Sequence, residues 1–68
     1  MVGRQGKVTG RIAPGVVGEV LVGIRGGAEA FLAYGVDPQA VIGVGELVVV
    51  VEYQPPRTVY VARAYPAP

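Results

Sequence analysis

The 68-residue chain has no histidine, cysteine, serine, asparagine or tryptophan. Without imidazole, thiol or serine hydroxyl it lacks the groups behind most general-base, nucleophilic and metal-dependent chemistry. An active site would have to rest on Thr9 or Thr58 with a carboxylate and no positioned base, a poor foundation for nucleophilic attack. The composition therefore argues for a non-enzymatic protein with no cofactor and no metal. The missing cysteines and histidines also exclude the disulfides and metal clips that staple many small domains, which leaves dense apolar packing or self-association to stabilise this one. They leave the cellular compartment open.

Long hydrophobic runs are absent too. The longest unbroken aliphatic run is Leu47 to Val51, far short of the roughly 20 residues that cross a bilayer, and no basic stretch followed by an apolar one opens the chain. As it stands, the chain reads as soluble. The first glycine arrives at Gly3 with no tail before it, as though the chain were cut at a domain boundary, and Met1 is compatible with a start residue added for expression. Charge is scarce and balanced: the formal net charge is +1, whereas a dedicated nucleic-acid binder normally shows a clustered basic surface.

What is present in quantity is valine, glycine and proline. Fifteen valines, stiff at their first side-chain torsion and suited to a pleated surface, are cut into short pieces by eleven glycines and six prolines. The pattern is all-β. Lys7 to Ile12 alternates, with Val8 and Ile12 on one face and Lys7, Thr9 and Arg11 on the other, and so predicts a first, half-buried strand. Ala13-Pro14-Gly15 turns the chain into a second strand, Val16 to Ile24, whose interior Gly18 and Gly23 suit a bulged or kinked strand that curls towards closure. Arg25-Gly26-Gly27 supplies a hairpin turn, and Ala28 to Tyr34 returns as the third strand.

Between Gly35 and Gly45, Asp37-Pro38 has the form of a helix start, but Gly43 and Gly45 follow too soon, so a loop or a short 3₁₀ turn is expected. Leu47 to Val51 is apolar on both faces and predicts a central fourth strand, one side in the core and the other covered by a neighbour or a partner. Gln54-Pro55-Pro56-Arg57 breaks it, and Thr58 to Arg63 alternates as the fifth. Residues 1–64 thus form one domain, and 65–68 a flexible tail. Five short strands with a long, bent second one fit a small barrel of the oligonucleotide/oligosaccharide-binding (OB) type, with an SH3-like barrel as the nearest competitor.

The opening Gly3-Arg4-Gln5-Gly6-Lys7-Val8, then Ala13-Pro14 with Gly18-Glu19-Val20-Leu21-Val22, then the Gly45 turn into Leu47 to Val51, resembles the C-terminal soluble domain of NfeD-family proteins over Gly3 to about Ala62. That resemblance implies a five-stranded OB-type barrel at the end of a membrane-anchored protein that acts with stomatin- or flotillin-like scaffold proteins. The anchor itself is absent from this chain. It further implies a membrane-associated full-length protein with the soluble domain on the cytoplasmic side. Longer family members carry a serine protease domain, of which this chain has no trace. Where the family commonly has an aromatic or acidic residue and a short Ala-Arg-Ser-like segment in the third strand, this chain reads Ala30-Phe31-Leu32-Ala33-Tyr34. Ala13 to Val20 is also similar to the opening of biotinyl and lipoyl carrier domains, but those display a lysine at a hairpin tip and the only lysine here, Lys7, lies within the first strand.

Three constellations are candidates for function. Phe31 and Tyr34, with Lys7 and Arg11, would form a nucleic-acid face in the alternative reading, since barrels of this type stack bases on third-strand aromatics. The two aromatics are three residues apart, however, and on a regular strand point to opposite faces. Arg4, Lys7, Arg11 and Arg25 could meet an anionic lipid surface. Ordinary solvation is the plainer reading, with Glu19 and Glu29 on neighbouring strands to neutralise them. Tyr53, Tyr60 and Tyr65, near Pro55 and Pro56, combine large stiff area with a polar tip, as interface tyrosines do, or else lid an open barrel end. The two-sided valine run favours a docking face of Val49, Val51, Tyr53 and Tyr60 for a scaffold partner or a second copy, because one core cannot bury both sides of it.

Overall fold

Five strands form, in the order expected, and the computed structural model describes residues 1–64. They are β1 (Gln5–Gly10), β2 (Gly18–Ile24), β3 (Gly27–Gly35), β4 (Leu47–Gln54) and β5 (Thr58–Arg63). The tail expected over 65–68, Tyr65 included, lies outside the described residues. The strands close into a barrel in the order β1-β2-β3-β5-β4, with β3 and β5 parallel and every other pair antiparallel. Closure leaves no strand edge free, which is how a valine-rich sheet avoids pairing with its neighbours.

Alternation does most of the sorting. Val8, Val20, Val22, Phe31, Ala33, Val48, Val50, Val59 and Val61 point inward and are buried. Val49 and Val51 of β4 point outward, as a two-sided run requires once only one side fits the core. Among the described residues no polar or charged side chain is buried. Ile12 and Ile42, joined by reciprocal backbone hydrogen bonds of 3.0 and 2.8 Å, close the end of the barrel away from the β2–β3 turn. That turn is the two-residue Arg25-Gly26, with Gly26 at φ +81°, a conformation a side chain would resist.

The sheet bends at different places from those expected. Pairing slips between Val8 and Gly10 on β1 and between Val50 and Glu52 on β4, so Thr9 and Val51 are the extra residues of two bulges. Gly23, by contrast, pairs regularly with Ala28. Strand limits shift accordingly: β1 ends at Gly10 with Ile12 left in an isolated bridge, β2 begins at Gly18, and β4 runs on to Gln54.

The Gly35–Gly45 segment is a loop with a turn at Pro38-Gln39 and no helix. The Asp37 carboxylate accepts the Gln39 N–H at 2.9 Å, and the Ala40 N–H reaches the Asp37 carbonyl at 3.0 Å. Glu46 pins the far end, its carboxylate accepting the Gly43 N–H at 2.7 Å and Arg63 Nε at 2.9 Å, while Arg63 also donates to the Val41 carbonyl. The Arg63 bond first, and the Gly43 N–H second, hold the Glu46 carboxyl below the ordinary carboxylate value against the opposing effect of desolvation. A depressed folded pKa contributes stability that is present above the unfolded value and is lost as pH falls through the folded one. Glu46→Gln should therefore flatten the acid limb of a plot of urea midpoint against pH. An acid limb identical to that of the parent would show that Glu46 is not linked to folding.

Candidate protein-docking face

β3, β5 and β4 turn one continuous surface outward. In the parallel β3–β5 ladder Tyr34 lies opposite Tyr60, and their rings stack at 5.6 Å between centroids and 28° between planes. Leu32 lies opposite Thr58 on the same ladder, and across β5 the outward Val49 of β4 pairs with Ala62. Tyr34 is 41% exposed, Leu32 47% and Val51 45%; Tyr60 and Val49 are half-buried. These side chains sit outside a core that is already filled, so their apolar area is surplus to folding.

The rim is polar. Glu52 lies opposite Tyr60, with Gln54 Nε2 donating to its carboxylate at 3.5 Å. Arg57 Nη1 donates to the Ala30 carbonyl at 2.8 Å and stands 3.9 Å from Glu29. Because every strand is paired on both sides, a partner cannot join by adding a strand and has to meet side chains. The face is suited to apolar and aromatic contact.

Of the four residues expected on a docking face, the fold brings Val49, Val51 and Tyr60 to this side and removes Tyr53. The bulge at Val51 reverses the alternation, so Tyr53 pairs with the buried Val59 and packs on the core. Its ring meets Phe31 edge-on at 6.2 Å and 86°, and its hydroxyl donates to the Pro56 carbonyl at 3.1 Å. Tyr53 is thus a lid on the barrel end.

The nucleic-acid face is taken apart in the same way. Phe31 is 4% exposed and belongs to the core, leaving Tyr34 with no aromatic neighbour except Tyr60 among the described residues. The open hollow of about 470 Å³ over β2 and β3 is lined by Glu19, Glu29 and Arg57 with Ala28, Ala30 and Leu32, and neither Lys7 nor Arg11 borders it. Nor do Glu19 and Glu29 neutralise Lys7 and Arg11. Glu29 faces Arg57, and Glu19 accepts the Thr9 hydroxyl at 2.8 Å. That Thr9–Glu19 pair is exposed and acts as a cross-strand hydrogen bond. Lys7 stands mid-strand between Leu21 and Leu47, where no carrier lysine could be presented.

Tyr34 and Leu32 join the docking face without a signal in the sequence that links them to Tyr60. Their parity was readable, since both alternate away from Phe31 and Ala33, but the parallel pairing of β3 with β5 that sets Tyr34 against Tyr60 joins segments far apart in sequence.

A five-stranded closed barrel with an apolar core defines the chain as a small OB-type barrel. The model of the NfeD C-terminal domain matches residues 5–62, and the chain belongs to that family. It is not a known enzyme family. The chain is similar to the soluble domain of the NfeD protein YuaF from Bacillus subtilis, with 31% identity and a TM-score of 0.78 over 96% of this chain and 75% of that one. It is similar at 25% identity, TM-score 0.77, to the soluble domain of a Corynebacterium glutamicum membrane protein implicated in regulation of membrane protease activity, covering 94% of this chain and 92% of that one. The C-terminal domain of a stomatin operon partner protein from Pyrococcus horikoshii matches at 29% identity and a TM-score of 0.70, over 97% and 91% of the two chains. No curated protein sequence matches.

Proposed function

We propose that this barrel is the non-enzymatic interaction module of a membrane-anchored NfeD protein, and that it docks a stomatin-like scaffold protein through the outer face of β3, β5 and β4. The observation that carries the reading is the stacked Tyr34–Tyr60 pair, flanked by exposed Leu32 and Val51 on the outside of a barrel with no free edge. The similarity to a stomatin operon partner protein supports the class of partner. An anchor would raise the local concentration of the module beside a membrane-bound scaffold, so a modest apolar contact would suffice. Aromatic anchors carry much of the energy of such contacts, with truncations at hot spots costing about 2 kcal/mol or more.

The test is an amide chemical-shift titration of the labelled chain with the soluble domain of a stomatin-like protein from the same organism, with a single-stranded oligonucleotide as control. Shifts should gather on β3, β4 and β5 with the protein and be absent with the oligonucleotide. Tyr60→Ala and Val49→Lys should each weaken the protein complex at least tenfold, with the barrel spectrum retained. If both variants keep their fold and bind as tightly as the parent, this face is not the docking surface.

A further inference from the structure

The charges of the barrel are segregated in a way that its net charge of +1 conceals. Both ion pairs among the described residues use arginines at the two ends of the β5 segment, Arg57 with Glu29 and Arg63 with Glu46. Arg4, Lys7, Arg11 and Arg25 have no such partner. Three of them follow β1 and its continuation from one end of the barrel to the other, and Arg25 stands at the β2–β3 turn, beside which Arg4 Nη1 donates to the Gly23 carbonyl at 3.1 Å. Glu19, opposite Gly10 on β2, keeps its charge while bonded to Thr9, but one carboxylate against four cations still leaves the surface in cationic excess.

The same side carries aliphatic surface among the cations. Lys7 is paired across β1 with Leu21 on one flank and Leu47 on the other, both exposed. Val44, 67% exposed and the most exposed large hydrophobic residue of the described chain, tips the turn whose Gly45 N–H bonds the Val8 carbonyl. Unpaired cations interleaved with protruding aliphatics are what an anionic lipid interface rewards: the charges meet headgroups, and the short apolar side chains enter the headgroup boundary. In the closed order, β1 adjoins β2 and β4 and touches neither β3 nor β5. The basic strand and the Tyr34–Tyr60 pair therefore look in different directions.

We propose that the β1 side, with Lys7 and Arg11 at its centre and Leu21, Val44 and Leu47 around them, is a membrane-facing surface that lies against an anionic phospholipid layer. Oriented so, the barrel presents its tyrosine face away from the lipid. The proposal draws on no contact of that face.

The test titrates the labelled chain with phosphatidylcholine vesicles containing phosphatidylglycerol, beside pure phosphatidylcholine vesicles, inorganic phosphate and a single-stranded oligonucleotide. Partitioning is expected onto the anionic vesicles only and should fall as salt is raised, with resonances of Lys7, Arg11, Leu21, Val44 and Leu47 perturbed and those of Tyr34 and Tyr60 unmoved. Lys7→Gln and Arg11→Gln should each weaken partitioning about fivefold, and the double variant about 25-fold. Both side chains are exposed, and should a variant fail to fold, the salt dependence of the parent carries the same test. No partitioning onto anionic vesicles, equal partitioning onto neutral ones, or the same perturbations from phosphate or the oligonucleotide would overturn the assignment. No scaffold protein is present, so that failure would leave the partner reading where it stands.

Discussion

Gly18→Ala is expected to unfold most of the chain under conditions in which the parent is native. A Cβ at Gly18 would run into Ile12 Cγ1 and stand 2.7 Å from the Gly10 carbonyl oxygen and 2.9 Å from that of Arg11. None of these neighbours can give way cheaply. Ile12 is wholly buried and tied by backbone bonds to Ile42, and the two carbonyls belong to the chain leaving β1. Overpacking in a close-packed core costs roughly 1 to 3 kcal/mol when side chains can adjust, and with backbone on two sides the cost here should be at least about 3 kcal/mol. A domain of this length has only about 3 to 10 kcal/mol in total. Gly23→Ala is the matched control, because a Cβ there meets nothing within 4 Å and replaces a flexible residue within a strand. Urea unfolding should put the Gly18→Ala midpoint far below that of the parent and leave Gly23→Ala at or slightly above it. Equal midpoints for the two variants would mean that the approach of β2 to the end of β1 is not a fixed feature of the fold.

That contrast also marks how far the sequence could be read. Both glycines look alike in a valine-rich strand, and what separates them is the crossing of the chain at Ile12, a contact between segments that alternation cannot report. Alternation itself was informative wherever pairing is regular. The inward set of Val8, Val20, Val22, Val59 and Val61 follows from period two alone, and the Thr58–Arg63 strand has the limits its pattern predicts. Periodicity misled where a bulge inserts a residue. Counted without the extra Val51, Tyr53 shares a face with Val49 and Val51; with it, Tyr53 turns into the barrel and Glu52 takes the outward place beside Tyr60. The candidate face was half legible for a related reason. Val49, Val51 and Tyr60 were identified by their chemistry, but Tyr34 and Leu32 join them only through the parallel β3–β5 ladder that closes the barrel. Electrostatic partners were legible least, since Arg57 reaches back across 27 residues to Ala30, beside Glu29, and Arg63 across 17 to Glu46.

Phe31→Ala should cost about 3 to 5 kcal/mol, the usual range for removing a buried phenyl ring, and so approach the full stability of the domain. Among the described residues Phe31 is the one buried aromatic ring, in a core otherwise made of valine, isoleucine and alanine. Its loss also strips the edge-on contact from Tyr53, and a double-mutant cycle of Phe31→Ala with Tyr53→Ala should return a coupling of about 0.5 to 1.5 kcal/mol. Tyr34→Ala, three residues along the same strand, removes an exposed ring and should lower stability by about 1 kcal/mol or less. The pair of substitutions separates the two roles that third-strand aromatics can play in such a barrel. Were Phe31 a base-stacking residue, its truncation would spare the fold and abolish oligonucleotide binding. A collapse of the urea midpoint for Phe31→Ala, beside a near-native one for Tyr34→Ala, means instead that one ring holds the barrel together and the other is free to be used at its surface.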